Sequence, residues 1–190
     1  FFERMVPALT RAGVAQRVLI RKDPRRARVL AESGLLDVDQ LAFGGRFDMT
    51  TRWRIRAHIG DFKPDILFTW MNRASNFAPR RGGKRRSFAH IGRLGGYYDL
   101  KYYRNCDWLV ADTADLVTYI TGAGWPAERV TYLPNFVDGN PGRPIGPKSL
   151  YIPEHRLVLL ALGRLHPNKG YDVLLKALAE GEQNLGAGPG

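Results

Sequence analysis

Short apolar runs alternate with stretches of helical period along most of this chain, and that alternation restricts the fold more than any other feature. The runs QRVLI (residues 16–20), QLAF (40–43), ILFTW (66–70), SFAHI (87–91), WLVA (108–111) and VTYL (130–133) have the length and composition of strands. Between them lie helical patterns over 24–32, 49–62 and 114–123, with an aromatic helix expected around 97–103. A further helix opens the chain, with Phe1, Phe2, Met5, Val6 and Leu9 on one face and Gly13 at its end. Parallel neighbouring strands need crossover connections, and intervening helices supply them. The expected fold class is therefore α/β, a parallel sheet with helices on both faces.

At residues 138–153 the character changes. DGNPGRPIGPKSLYIP holds four Pro and three Gly and no sustained period, the composition of a linker between domains. Beyond it, residues 157–179 read LVLLALGRLHPNKGYDVLLKALA. The apolar run over 157–162 predicts a buried strand that stops at Gly163, and Val173, Leu174, Ala177 and Leu178 recur at helical spacing. The loop between them carries Arg164 and Lys169. Strand ends and helix N-termini favour anions. Arg offers a planar fork of donors and Lys a compact charge, so the loop reads either as a diphosphate clamp or as a surface turn with two solvated cations. A stretch of about 35 residues cannot bury a core alone, so it is expected to open a second α/β domain.

Charge divides the chain. Residues 1–104 hold 22 Lys and Arg against nine Asp and Glu, a net +13, whereas residues 105–190 hold seven against nine, a net −2. The positive half suits phosphorylated substrates, an anionic membrane surface or nucleic acid. Its sharpest cluster, RRGGKRR at residues 80–86, has Trp70, Phe77 and Phe88 nearby and reads as an exposed loop, either a membrane contact or solvated surface. No apolar run has the length of a membrane span. The single Cys106 excludes a disulfide within the chain and fits a reducing, cytoplasmic setting, and four scattered His give no metal-ligand spacing. The N-terminus has neither a signal-peptide core nor an initiator Met, so the chain is expected to be a fragment.

Two segments stand out together: YLPNFVD at 132–138 and GRLHPNKG at 163–170, on either side of the Pro-rich linker. The pair resembles the family-four, retaining glycosyltransferases of the GT-B fold. In that family an N-G/F-V-D turn ends the acceptor-side domain, and a G-R-x-x-x-x-K-G loop starts the donor-side domain. KPDILFTW (63–70) and CDWLVADTADL (106–116) match the strand that ends near the acceptor cleft and a strand-to-helix turn of the same family. The resemblance implies an acceptor-side Rossmann-like domain over residues 1–138, with its first strand before Phe1, and a Pro/Gly-rich linker over 139–154. Residues 155–190 would be the truncated start of a second Rossmann-like domain, which binds the nucleotide-sugar donor.

The resemblance further implies that Gly163, Arg164 and Lys169 bind the donor diphosphate, meeting the charge of the leaving group with no metal and no other cofactor. Asn135 and Asp138 occupy the interdomain turn and either shape it through local backbone bonds or line the cleft. His90, expected at its strand's end, falls where the family often has a polar residue facing the reacting sugar. It is a candidate catalytic residue, and the alternative is a hydrogen-bonded core histidine. Gly92, Gly95 and Gly96 allow backbone to approach a ligand or merely to turn. Asp112 and Thr113 read as helix caps, and His58 and His166 as surface. The family's Glu-x7-Glu signature would fall after Gly190 and its Gly-rich loop before Phe1, so the chain alone is expected to lack turnover.

The leading expectation is a transferase that moves a hexose from a nucleotide-sugar donor to a saccharide or lipid-linked acceptor, in cell-envelope polysaccharide or lipopolysaccharide synthesis. It would act in the cytoplasm, with the inner membrane face as a peripheral site. The alternative prompted by charge is a basic nucleic-acid-binding protein. No helix-turn-helix, zinc, RRM or KH pattern supports it, so nucleic acid is not the favoured partner. A sugar phosphorylase or sugar-nucleotide epimerase on the same fold is a third reading.

Overall fold

The computed structural model of the protein describes residues 1–34, 38–45, 47–80, 87–137, 139, 142–146, 149, 151–153 and 158–186. The chain divides into two compact units, Phe1–Asp138 and Gly139–Gly190. The basic loop 81–86 and Asp138 lie outside the described residues.

In the first unit the order is α1 (Phe2–Arg11), β1 (Val18–Arg21), α2 (Pro24–Glu32), β2 (Val38–Leu41), α3 (Met49–Phe62), β3 (Ile66–Trp70), α4 (Met71–Phe77), β4 (Ala89–Leu94), β5 (Trp108–Ala111), α5 (Ala114–Gly122) and β6 (Val130–Tyr132). All pairings among these strands are parallel. The arrangement is Rossmann-like α/β, as the alternation of runs requires. One continuous sheet was expected; the described strands instead form a pair, β1-β2, and a sheet of order β3-β4-β5-β6. In a doubly wound sheet two such parts are joined through a strand between them, and none of the described strands occupies that place.

Local chemistry sets the helix boundaries. Asp23, Asp48 and Thr113 each accept a hydrogen bond from the backbone N–H three residues on, at 3.0, 2.9 and 3.1 Å, and so start α2, α3 and α5. Gly124, at φ 93°, lets the chain leave α5 through the left-handed region. His58, expected at the surface, instead bonds Asp39 at 2.9 Å, and Arg54 joins the same carboxylate. Burial pushes the Asp39 carboxyl up, but His58 and Arg54 together hold it below its ordinary value.

β4 departs most instructively from expectation. The strand lies at Ala89–Leu94 rather than over 87–91, because Gly92 and Arg93 continue it. Gly92 is a packing residue: a Cβ there would stand 2.7 Å from Cys106 Sγ and 2.9 Å from the Tyr103 ring. Those neighbours belong to the central core of Leu94, Tyr103, Cys106, Leu109, Ala111, Leu116 and Ile120. Gly92→Ala is expected to destabilise the protein by about 1–3 kcal/mol, the usual cost of overpacking, measured as a lower urea midpoint.

The aromatic segment near 97–103 forms only a 3-10 turn, Leu100–Tyr103, which Asp99 caps through the Lys101 N–H at 2.9 Å. Tyr103 is fully buried there, and its hydroxyl has no hydrogen-bond partner among the described residues. Burial raises its proton affinity well above that of an ordinary tyrosine. An unsatisfied buried hydroxyl costs stability, so Tyr103→Phe is expected to raise stability by about 1 kcal/mol, read from the same denaturation curves.

The second unit contains a 3-10 turn, Pro167–Lys169, and α6, Tyr171–Gly186. The buried strand expected over 157–162 is not formed among its described residues, 158–162. Residues 158–162 carry no regular structure, and Leu160 and Leu162 are 76% and 86% exposed. A strand needs a neighbour to satisfy its backbone groups, and the described residues of this unit include no other strand.

Candidate functional site

The C-terminal edge of a parallel sheet is where such folds hold ligands, because strand ends and following helix starts converge there. At this edge β3 ends in Trp70, and the chain turns directly into α4 with no intervening loop. Met71 makes the turn at φ 64°, a left-handed conformation that costs a non-glycine residue about 1–2 kcal/mol. Sequence reasoning missed α4, because Trp70 stands at its N-cap and makes no side-chain capping bond. Gly95, just beyond β4, lies against Met71 and Asp112: a Cβ there would stand 2.8 Å from Met71 Cε and 3.4 Å from Asp112 Oδ2.

Arg93 is the centre of this edge. It lies in β4 in register with Trp70 of β3 and Val110 of β5, and it is only 3% exposed. Its guanidinium carbon lies over the Phe1 and Trp70 rings, 4.6 and 5.0 Å from their centroids. Its Nη2 donates to Asn135 Oδ1 at 2.7 Å and lies 3.6 Å from Asp112 Oδ2. Asn135 Nδ2 in turn donates to Asp112 Oδ2 at 3.3 Å. The amide is thus oriented by its neighbours, oxygen toward the cation and nitrogen toward the carboxylate. Burial lowers the proton affinity of Arg93 and Asp112 works against that shift, but an arginine stays charged throughout. Its Nε has no hydrogen-bond partner among the described residues.

The chain that leaves β6 is fixed by the same group. Leu133 N–H donates to Ala111 O at 2.8 Å, Asn135 follows two residues later, and the Phe136 ring packs edge-on against Phe1 at 4.7 Å. The residues available for chemistry or recognition at this edge are therefore a carboxylate, an amide and a guanidinium within one hydrogen-bonded group, beside the half-buried Trp70 and the 44% exposed Phe136. Carboxylates and amides suit hydroxyl-rich ligands, and aromatic faces suit their apolar sides. Among the described residues no group of His, Cys, Asp and Glu is arranged to hold a metal ion.

The residues singled out in the sequence are distributed unevenly about this edge. Asn135 belongs to it, and Asp138 lies outside the described residues. Asp112, read as a cap, faces Arg93 and Asn135, while Thr113 takes the capping bond alone. His90 is the second residue of β4, near the opposite end of the strand from Arg93, and fully buried. Its Nδ1 lies 3.1 Å from the Asn105 carbonyl, and Nε2 lies 2.9 Å from Thr69 Oγ1 and 3.6 Å from Cys106 Sγ. The Asn105 carbonyl only accepts, so the Nδ1 position carries a proton. This is the geometry of a hydrogen-bonded core histidine. Arg93 was the functional candidate missed by sequence reasoning; the Arg-Leu-Gly-Gly that breaks off an apolar run was its only signal.

In the second unit, Gly163, Arg164 and Lys169 belong to an exposed loop. A Cβ on Gly163 would stand 2.7 Å from the Tyr171 hydroxyl and 3.8 Å from Lys169 Cδ, so the loop folds back on the start of α6 and needs a glycine there. His166 closes the turn: its Nδ1 accepts from Asn168 N–H at 3.3 Å, and its carbonyl accepts from Lys169 N–H at 2.9 Å. Gly170, at φ 63°, then admits the chain to α6. Neither Arg164 nor Lys169 makes an ion pair among the described residues. Both cations stand in water on a loop shaped by its own backbone.

The chain is similar to glycosyltransferases of lipopolysaccharide core biosynthesis. It is 30% identical over 200 aligned positions to the lipopolysaccharide core biosynthesis glycosyltransferase LpsD of Rhizobium meliloti (strain 1021), covering 100% of this chain and 55% of that protein. To LpsE of the same strain, another lipopolysaccharide core biosynthesis glycosyltransferase, it is 29% identical over 188 positions, covering 94% of this chain and 52% of that protein. The chain thus spans about half the length of the curated relatives it matches. No protein-family model matches it.

Proposed function

We propose that the protein is a glycosyltransferase of lipopolysaccharide core assembly, moving a hexose from a nucleotide-sugar donor to a saccharide or lipid-linked acceptor. The observation that carries this reading is the similarity, over 100% and 94% of this chain, to two proteins bearing that name. In this reading the protein is of the GT-B, retaining, family-four type. Residues 1–138 serve the acceptor, 139–154 link, and 155–190 begin the donor-binding domain.

Donor recognition falls to the loop of Gly163, Arg164 and Lys169. As the sugar–phosphate bond breaks, negative charge grows on the departing nucleoside diphosphate, and a guanidinium and an ammonium held at that place lower the barrier. That chemistry asks for no metal and no other cofactor. Asn135 and Asp138 shape the turn that leaves the first unit, and the Arg93–Asp112–Asn135 group supplies polar contacts for acceptor hydroxyls. The site of action is cytoplasmic and peripheral, on an anionic membrane surface. Supporting this, Phe47, Met49 and Trp53 are 88%, 63% and 68% exposed at the start of α3, beside Arg52, Arg54 and Arg56. Among the described residues no helix is long and apolar enough to cross a membrane.

The test is transfer of labelled hexose from UDP- and GDP-sugars to truncated lipopolysaccharide core acceptors by the intact protein. Transfer with either donor is the expected result; absence of both transfer and donor binding would remove the reading.

A further inference from the structure

A concavity lies at the other edge of the sheet from the Arg93 group. Asn105, on its wall, comes before β5, whereas Asp112 of the Arg93 group comes after it. The groove has a volume of about 630 Å³ and is lined by Asn76 and Arg80 on one side and by Lys101, Tyr102, Arg104 and Asn105 on the other. That volume is within the range of about 300–1,000 Å³ typical of small-ligand sites. We propose that this groove binds a phosphate-bearing group, carried either by a soluble sugar phosphate or by a lipid headgroup.

Three cations share the concavity; Lys101 Nζ pairs with Asp99 at 2.6 Å, and neither Arg80 nor Arg104 makes an ion pair among the described residues. Like charges gathered in one groove repel one another, and an anion relieves that repulsion. The cations are also of complementary kinds. Arg80 and Arg104 present planar forks that match phosphate oxygens, and Lys101 adds a point charge. The amides of Asn76 and Asn105 offer partners for the hydroxyls of whatever carries the phosphate, and the Tyr102 ring suits its apolar side.

The walls are held before any ligand arrives. Arg104 Nε donates to Lys101 O at 3.1 Å, which orients its fork, and Lys101 Nζ stands 5.1 Å from the Tyr102 ring centroid. The Asn105 carbonyl is tied to the buried His90 ring at 3.1 Å. On the opposite wall, Arg52 Nη1 donates to Asn76 O at 3.0 Å while its guanidinium covers Phe77 at 4.8 Å. A preformed site loses less ordering entropy on binding. The groove lies within residues 1–138 but shares no residue with the Arg93–Asp112–Asn135 group or with the donor loop, so its phosphate binding is tested apart from transfer.

The experiment titrates the intact protein by calorimetry with glucose 6-phosphate, inorganic phosphate and glucose. In parallel, it measures sedimentation with phosphatidylcholine vesicles with and without phosphatidylglycerol. The expected result is binding of at least one phosphate-bearing probe with no binding of its neutral counterpart. It should be weakened about tenfold or more in Lys101→Gln/Arg104→Gln, and also in the independent variant Arg80→Gln on the opposite wall. Binding of glucose 6-phosphate assigns the soluble source, and binding confined to phosphatidylglycerol vesicles assigns the lipid. No binding of any phosphate-bearing probe, or equal binding by the wild type and both variants, overturns the proposal. Donor affinity through Arg164 and Lys169 is measured separately, so either idea can fail alone.

Discussion

Replacing Arg93 by alanine is expected to lower the stability of the protein by about 3–5 kcal/mol, the usual cost of removing one partner from a buried charged pair. The guanidinium is 3% exposed, stacked on Phe1 and Trp70, and bonded to Asn135 at 2.7 Å. Its loss leaves Asp112 facing the sheet edge without its cation, and frees the oxygen of the Asn135 amide. Arg93→Lys keeps the charge but gives up the fork and the flat stacking surface, so it should recover only part of the loss. Arg93→Ala combined with Asp112→Ala should cost less than the sum of the two single changes, since the second change removes the charge that the first one strands. Urea denaturation at constant m measures the four variants against the wild type. A change below about 0.5 kcal/mol for Arg93→Ala, the range of ordinary surface substitutions, would contradict this account of the edge.

The second large effect belongs to the donor loop. Arg164→Ala and Lys169→Ala are each expected to reduce the transfer rate of the intact protein by about 10²–10³, as for removal of one fixed donor to a developing anion. The effect should fall mainly on kcat, because charge on the diphosphate is greatest as the sugar leaves. Folding should be unaffected, since both side chains are exposed and unpaired among the described residues. Arg164→Lys should restore less than half of the lost transition-state energy, because a point charge cannot match two phosphate oxygens at once. Equal activity of both alanine variants and the wild type would dissociate the loop from catalysis.

The parts of the fold legible in the sequence are those where one signal acts alone. ILFTW and WLVA are uninterrupted apolar runs, and the strands at Ile66–Trp70 and Trp108–Ala111 coincide with them. Helices 24–32 and 49–62 carry Asp at the cap and a terminator behind, and both appear with the expected bounds. Where tertiary packing decides, the sequence misleads. A glycine and an arginine look like the end of a strand, yet Gly92 makes room for Cys106 and Tyr103, and Arg93 is buried by aromatic rings contributed from distant positions. α4 carries no capping signal, because it starts from the strand itself. The apolar run before Gly163 has strand composition, but a strand exists only where a partner accepts its backbone bonds.

The candidate site divides in the same way. Asn135 was legible because it belongs to a short motif, whereas Arg93 and Asp112 join it through register between β4 and β5, which no local pattern encodes. His90 shows the reverse: a polar residue after apolar ones attracts notice, and the fold turns it inward to Thr69, Cys106 and Asn105.

The most direct test of the central claim is an equilibrium titration of the intact protein, wild type and Arg164→Ala/Lys169→Ala, with UDP- and GDP-hexoses. The account predicts saturable binding of one of these donors by the wild type, and a loss of about tenfold or more in the double variant. Wild-type binding that the double variant retains undiminished, or no binding of either nucleotide sugar, would contradict it.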